Sequence, residues 1–150
     1  MPVNEALFSS ATGVWETPQA FFNKLNEEFN FEVDVCALPE NAKCAMYYTP
    51  EIDGLAQDWK GKRCWMNPPY GRQVAQWIKK AYDSTREPGT TVVALLPSRT
   101  DTNYFHQYIY DKAIWASRSR VSIRFLKGRL KFGGASSGAP FPSMVVVFGD

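Results

Sequence analysis

Cys64-Trp65-Met66-Asn67-Pro68-Pro69-Tyr70-Gly71 runs from an apolar segment straight into two prolines and an aromatic ring. The apolar residues predict a strand, and the proline pair predicts that it ends in a turn, because neither ring has an N–H to donate and each fixes its φ. The carbonyls of Asn67 and Pro68 are thereby held rigidly without local donors. The Asn67 side-chain oxygen and the Pro68 carbonyl form a pre-set pair of acceptors, which suits a planar exocyclic amino group with two N–H donors and a delocalised lone pair. Tyr70 offers a face on which an extruded base stacks, an interaction of about 1–3 kcal/mol. Equally, the same residues read as an Asn-Pro-Pro turn that closes a core strand, with Tyr70 packed over it.

On either side the chain alternates helices and strands. Trp15-Glu16-Thr17-Pro18 opens a helix with Thr17 as N-cap and Pro18 at its first position, and Phe22, Leu25 and Phe29 mark one buried face ending near Asn30. Phe31, Val33 and Val35 alternate with Glu32, Asp34 and Cys36, which predicts a strand. Ligands of open α/β sheets sit beyond the carboxyl ends of the strands, so Asp34 is a candidate to meet an ammonium or ribose hydroxyls, with a surface acid or helix cap as the competing reading. Ala45 to Tyr48 reads as a short strand. Val74, Trp77, Ile78, Ala81 and Tyr82 fall on one helical stripe. Thr91 to Leu96 is a continuous apolar run, the pattern of a central parallel strand covered on both faces. Ala113 to Ala116 reads as another short strand and Ser143 to Phe148 as the last. The arrangement predicts an α/β domain with a mostly parallel sheet and an antiparallel C-terminal hairpin.

The chain has 150 residues, 45% of them hydrophobic and 15% aromatic. That suits one compact domain, residues 1–150, with residues 1–11 as an irregular arm and any target-recognition element a loop or hairpin on the same body. No apolar stretch approaches the roughly 20 residues of a membrane span, and the N-terminus lacks a basic-then-apolar signal, so a cytoplasmic location is expected. Cys36, Cys44 and Cys64 are an odd number in dissimilar settings, and two of them lie in apolar runs and read as reduced core thiols. There is no metal-ligand spacing, phosphate loop or Ser/His/Asp set. His106, the single histidine, lies beside Tyr104, Phe105 and Tyr108 and reads as a packing or surface residue rather than a catalyst.

Charge is uneven. Residues 1–60 carry three Lys/Arg against ten Asp/Glu, whereas residues 61–150 carry fourteen against five. Arg118, Arg120, Arg124, Lys127, Arg129 and Lys131 are interleaved with Val121, Ile123, Phe125 and Leu130, with no acid between them. Alternation of this kind predicts a ribbon with one cationic face that contacts phosphate, or else a solvated face. Arg99, in the polar loop after the apolar run, meets a phosphate or pairs with Asp101. Gly133 to Pro140 reads as a flexible loop.

Asn67-Pro68-Pro69-Tyr70 resembles the catalytic motif of amino-directed, S-adenosylmethionine-dependent methyltransferases. Together with Trp15-Glu16-Thr17-Pro18, Asp34-Val35-Cys36-Ala37, Gly54-Leu55, Asp58-Trp59 and Phe141-Pro142-Ser143, it makes the chain from Ala11 to Phe148 similar to the small phage-type DNA N6-adenine methyltransferases, the Dam-like family. The resemblance implies a Rossmann-like methyltransferase fold, S-adenosylmethionine as methyl donor, double-stranded DNA as partner and a flipped adenine as the acceptor. It implies that Asn67, Pro68, Pro69 and Tyr70 are catalytic, and that Thr17, Pro18, Asp34, Ala37, Asp58 and Asn67 lie at the cofactor. Asp58 also reads as a turn-capping acid. This chain has Pro39-Glu40-Asn41-Ala42 where many methyltransferases carry a glycine-rich loop. Two other readings stay open: methyl transfer to another planar nitrogen, in protein glutamine or RNA, and a DNA-binding relative without turnover.

Overall fold

In a computed structural model, residues 15–115, 120–134 and 137–149 are described. The expected N-terminal arm and Arg118 lie outside them. The strands β1 (Val33–Asp34), β2 (Met46–Tyr47), β3 (Arg63–Met66), β4 (Thr91–Pro97), β5 (Val121–Phe125) and β6 (Ser143–Gly149) form one sheet in the order β2-β1-β3-β4-β6-β5. β2, β1, β3 and β4 pair in parallel, and β6 runs antiparallel between β4 and β5. The molecule is therefore a mixed α/β structure with a mostly parallel sheet and antiparallel C-terminal strands.

Strand alternation sorts the core into two layers. Cys64, Met66, Val92, Ala94 and Leu96 point to one face, where they meet α2 (Val74–Ser84) through Val74, Trp77, Ile78 and Ala81. A further helix, Phe105–Trp115, covers the same face through Phe105 and Ile109. Trp65, Val93 and Leu95 point the other way, against Phe22 and Leu25 of α1 (Gln19–Phe29). β4 is buried along its whole length because both faces are covered.

Four expectations are corrected. Ala113, Ile114 and Trp115 are not a strand but the end of the Phe105–Trp115 helix, which has π geometry, and Ala116 lies outside the described residues. A short apolar run does not by itself distinguish strand from helix, and Trp115 is 73% exposed rather than core. The first helix is capped at Pro18, one residue later than expected, with no side-chain cap, because the Thr17 hydroxyl is used elsewhere. The basic ribbon is a strand only over Val121–Phe125; Lys127, Arg129 and Lys131 lie in the irregular segment beyond it. Part of the loop read as flexible is tethered, since Gly133 N–H donates to the Glu16 carbonyl at 2.9 Å; Ala135 and Ser136 lie outside the described residues.

Candidate active site

β3 places its last residues by register. Asp34 pairs with Trp65 across the parallel ladder, so both point to the α1 face, and Asn67 follows two residues after Trp65 at the carboxyl end of the strand. A one-residue slip would turn all three to the opposite face. Beyond these strand ends lies a cavity of about 490 Å³. Of the residues expected at a cofactor, Thr17, Asp34, Ala37 and Asn67 line it, and so does Pro69.

No glycine-rich loop shapes the cavity floor; short side chains cap the turn instead. After β1, Asp34 Oδ1 accepts from Cys36 N–H at 3.2 Å and Oδ2 from Lys43 N–H at 3.0 Å, while Asn41 Oδ1 accepts from Leu38 N–H at 2.8 Å. These Asx-type contacts let the backbone turn without glycine. Asp34 is only 2% exposed, and burial pushes its carboxyl up to about 6 against the pull of its two N–H partners. Burial, with the Asp34 charge adding to it, pushes the Cys36 thiol up to about 12, so Cys36 is an inert wall of the cavity and not a nucleophile.

At the rim, Asn67 is held by its nitrogen. Nδ2 donates to the Trp15 carbonyl at 2.5 Å and to Thr17 Oγ1 at 2.8 Å, and Oδ1 is buried with no hydrogen-bond partner. Trp77, also on the cavity wall, has an indole N–H in the same condition. Unpaired buried polar atoms are uncommon in native folds because each costs about 1–3 kcal/mol. Here one acceptor and one donor are found on residues of a single cavity. Tyr70 donates its hydroxyl hydrogen to the Leu95 carbonyl at 3.1 Å, and burial holds its phenol well above the usual range. Its ring meets Phe141 edge-on at 5.6 Å, and Phe141 in turn meets Trp15 at 4.9 Å.

Asp58 is not brought to the cavity. Its carboxylate caps the turn at Lys60 N–H, 3.0 Å away. Asp53, in sequence only a turn signal, lines the cavity instead, at a φ of 61° and with its side chain accepting from Leu55 N–H. Beside it Gly54 is in close contact: a Cβ there would lie 2.0 Å from the Val35 carbonyl oxygen. In sequence Trp77 is only a member of a helical stripe, and nothing in that periodicity separates a cavity wall from core. Pro68 is buried and Pro18 half-buried, neither on the cavity lining.

The basic residues are distributed differently from expectation. Arg124 forms a two-pronged pair with Glu28 at 2.7 and 2.5 Å and lies over the Phe29 ring, and its hydrogen bond holds the Glu28 carboxyl below its usual range. Arg129 donates to the Ala139 carbonyl at 3.2 Å, and Arg99 pairs with Asp101 at 3.7 Å. Lys127 and Lys131 are exposed, and Arg120 is half-buried. His106 Nε2 is 2.8 Å from the Thr100 carbonyl oxygen and packs edge-on against Phe105, away from the cavity. No described helix is long and apolar enough to cross a membrane.

Comparison with known proteins gives these positions a context. Over 112 residues, 72% of this chain and 64% of the relative, the chain is 32% identical to the DNA N-6-adenine-methyltransferase of Haemophilus phage HP1 (strain HP1c1). Over 63 residues, 37% of this chain and 69% of the relative, it is 40% identical to the putative methyltransferase YfdM of Escherichia coli (strain K12). The chain thus spans roughly two thirds of the length of either relative. Since the model of the DNA N-6-adenine-methyltransferase (Dam) family matches residues 6–150, nearly the whole of it, the chain belongs to that family.

Proposed function

We propose that the protein methylates N6 of adenine in double-stranded DNA, using S-adenosylmethionine, on a Rossmann-like methyltransferase fold within a single domain in residues 1–150. The observation that carries the reading is the Asn67 carboxamide, pinned through its nitrogen and left with a buried, unpartnered oxygen at the edge of a cavity. An acceptor of that kind matches an N–H donor brought by substrate. A cavity of about 490 Å³ beyond the ends of parallel strands supports a nucleoside cofactor there.

The residues present fit that cofactor. Asp34 supplies a carboxylate for its ammonium or ribose hydroxyls, Trp77 an unpaired N–H for a ring nitrogen, and Ala37 and Leu55 apolar wall. Bound there, S-adenosylmethionine would supply an electrophilic methyl on a cationic sulfur. Asn67 Oδ1 and the Pro68 carbonyl hold the two N–H groups of a flipped adenine and localise the nitrogen lone pair toward the cavity. Pro68 and Pro69 keep those acceptors rigid, so little reorganisation is left for the reaction itself. Tyr70, steadied by the Leu95 carbonyl, stacks on the base. Thr17 and Pro18 connect this corner to α1. The duplex docks through Lys127, Arg129 and Lys131, with Arg99, Arg118, Arg120 and Arg124 as further phosphate contacts, and the base leaves the stack because its amino nitrogen is out of reach inside it. The expected site of action is the cytoplasm of the cell in which the DNA replicates.

Incubating the protein with methyl-labelled cofactor and DNA, RNA or protein tests the reading directly. Label at adenine N6 of duplex DNA is expected. Label confined to RNA or to protein glutamine, or cofactor binding without any transfer, would replace it.

A further inference from the structure

We infer that Thr17 is a positioning residue: its hydroxyl, with the Trp15 carbonyl, locks the Asn67 carboxamide so that the oxygen and not the NH2 group faces the substrate amino group. The inference rests on the reading of Asn67 as the acceptor. A carboxamide has two nearly isosteric ends, and turning it by half a revolution exchanges an acceptor for two donors. A turned Asn67 would oppose N–H to N–H at the substrate and could not hold an amine. Something must exclude that state.

The surroundings of Nδ2 do so. The Trp15 carbonyl can only accept, so it selects the NH2 end and takes one amide hydrogen at 2.5 Å; Thr17 Oγ1, which could accept or donate, takes the other at 2.8 Å and holds the group in that setting. Both hydrogens are used, and Oδ1 is left buried and without a partner. Thr17 is 4% exposed, so its hydroxyl is largely shielded from bulk water. The helix that follows has no side-chain cap, and the hydroxyl that would have served as one is committed to Asn67. The segment carrying the lock is itself held, by the Trp15 ring against Phe132 at 5.5 Å and by the Glu16 carbonyl accepting from Gly133 N–H at 2.9 Å.

The test compares Thr17→Val, which keeps the shape and removes the acceptor, with Thr17→Ser, which keeps the acceptor, and with Thr17→Ala should the valine variant fail to fold. Loss of one buried hydrogen bond predicts a kcat lowered about tenfold or more in Thr17→Val, with cofactor affinity and the KM for DNA within about threefold. Thr17→Ser should recover most of kcat. In an Asn67→Ala background Thr17→Val should cost nothing further. Independently of turnover, the Asn67 side-chain NH2 signals in a nitrogen-labelled sample should be protected from solvent exchange in the wild type and lose that protection in Thr17→Val. Retention of wild-type kcat and NH2 protection in Thr17→Val would overturn the inference, as would equal losses in the valine and serine variants or a cofactor affinity that falls in step with kcat. A wild type that transfers no methyl to DNA would sink the reading of the site, while the exchange measurement would still decide the lock.

Discussion

The strand-end cavity and the basic segment around β5 use polar groups in opposite ways. At the strand ends in the cavity a few polar groups are individually assigned: Asp34 accepts two backbone N–H groups, Asn67 donates twice, and Asn67 Oδ1 and the Trp77 indole N–H are left buried and unpaired. On the basic segment the cations are numerous and exposed, and some already have partners, as Arg124 has Glu28. Buried groups depend on geometry, because an unmet hydrogen bond there costs about 1–3 kcal/mol. Exposed ones depend on charge count and salt, since an exposed ion pair contributes about 0–1 kcal/mol. Catalysis should therefore fail at single atoms, and DNA affinity should decline by increments.

The largest contrast is expected at Asn67. Asn67→Ala should lower methyl transfer by about a thousandfold, as removing a preorganised group that stabilises a transition state does elsewhere, and leave cofactor affinity by calorimetry within a few-fold. A parallel collapse of cofactor binding would move Asn67 from the substrate to the cofactor. Gly54→Ala comes next: the added Cβ, 2.0 Å from the Val35 carbonyl oxygen, must push backbone, and a loss of about 3 kcal/mol is expected in chemical denaturation. An unchanged midpoint would mean that the cavity floor gives way easily.

Asp34 sharpens the comparison through pH. Burial raises its carboxyl to about 6, so the charged form dominates only above that pH, and affinity for a cofactor carrying an ammonium should fall about tenfold from pH 7 to pH 5. Stability of the free protein runs the other way. The unfolded side chain titrates near 3.8, so the Asp34 contribution improves as pH falls from about 6 and is complete below about 4, where both states are protonated. Asp34→Asn should flatten both profiles, and an affinity that ignores pH in the wild type would remove Asp34 from the ammonium.

The smallest effects belong to the basic segment. Replacing Lys127 and Lys131 by Ala should reduce the slope of log affinity for DNA against log salt by up to about 1.8, at about 0.9 for each phosphate no longer neutralised. Arg124→Ala should change that slope less, because Glu28 already neutralises the guanidinium, and should cost at most about 1 kcal/mol of stability. A slope change in Arg124→Ala as large as half that of the double lysine variant would show that DNA displaces Glu28.

Local residue chemistry carries far along this chain. The apolar run of β4, the stripe of α2 and the abrupt Asn67-Pro68-Pro69 corner are readable because period and proline stereochemistry act over a few residues. The same locality explains the errors. Ala113 to Trp115 has the apolar content of a strand, and it is a helix end only as the continuation of a helix whose Phe105 and Ile109 pack against the sheet. Thr17 has the chemistry of a cap, and only the approach of Asn67, fifty residues away in sequence, gave its hydroxyl a different partner. Asp58 and Asp53 are alike in sequence as turn acids; the fold turned one to solvent and the other to the cavity. What the sequence alone determined is the order of polar and apolar residues along each strand and the stiffness of the Asn67-Pro68-Pro69 corner, since both follow from each residue's own bonds. Which atoms of that corner are satisfied and which stay unpaired was decided only by the tertiary structure, because a hydrogen bond depends on where its distant partner comes to rest.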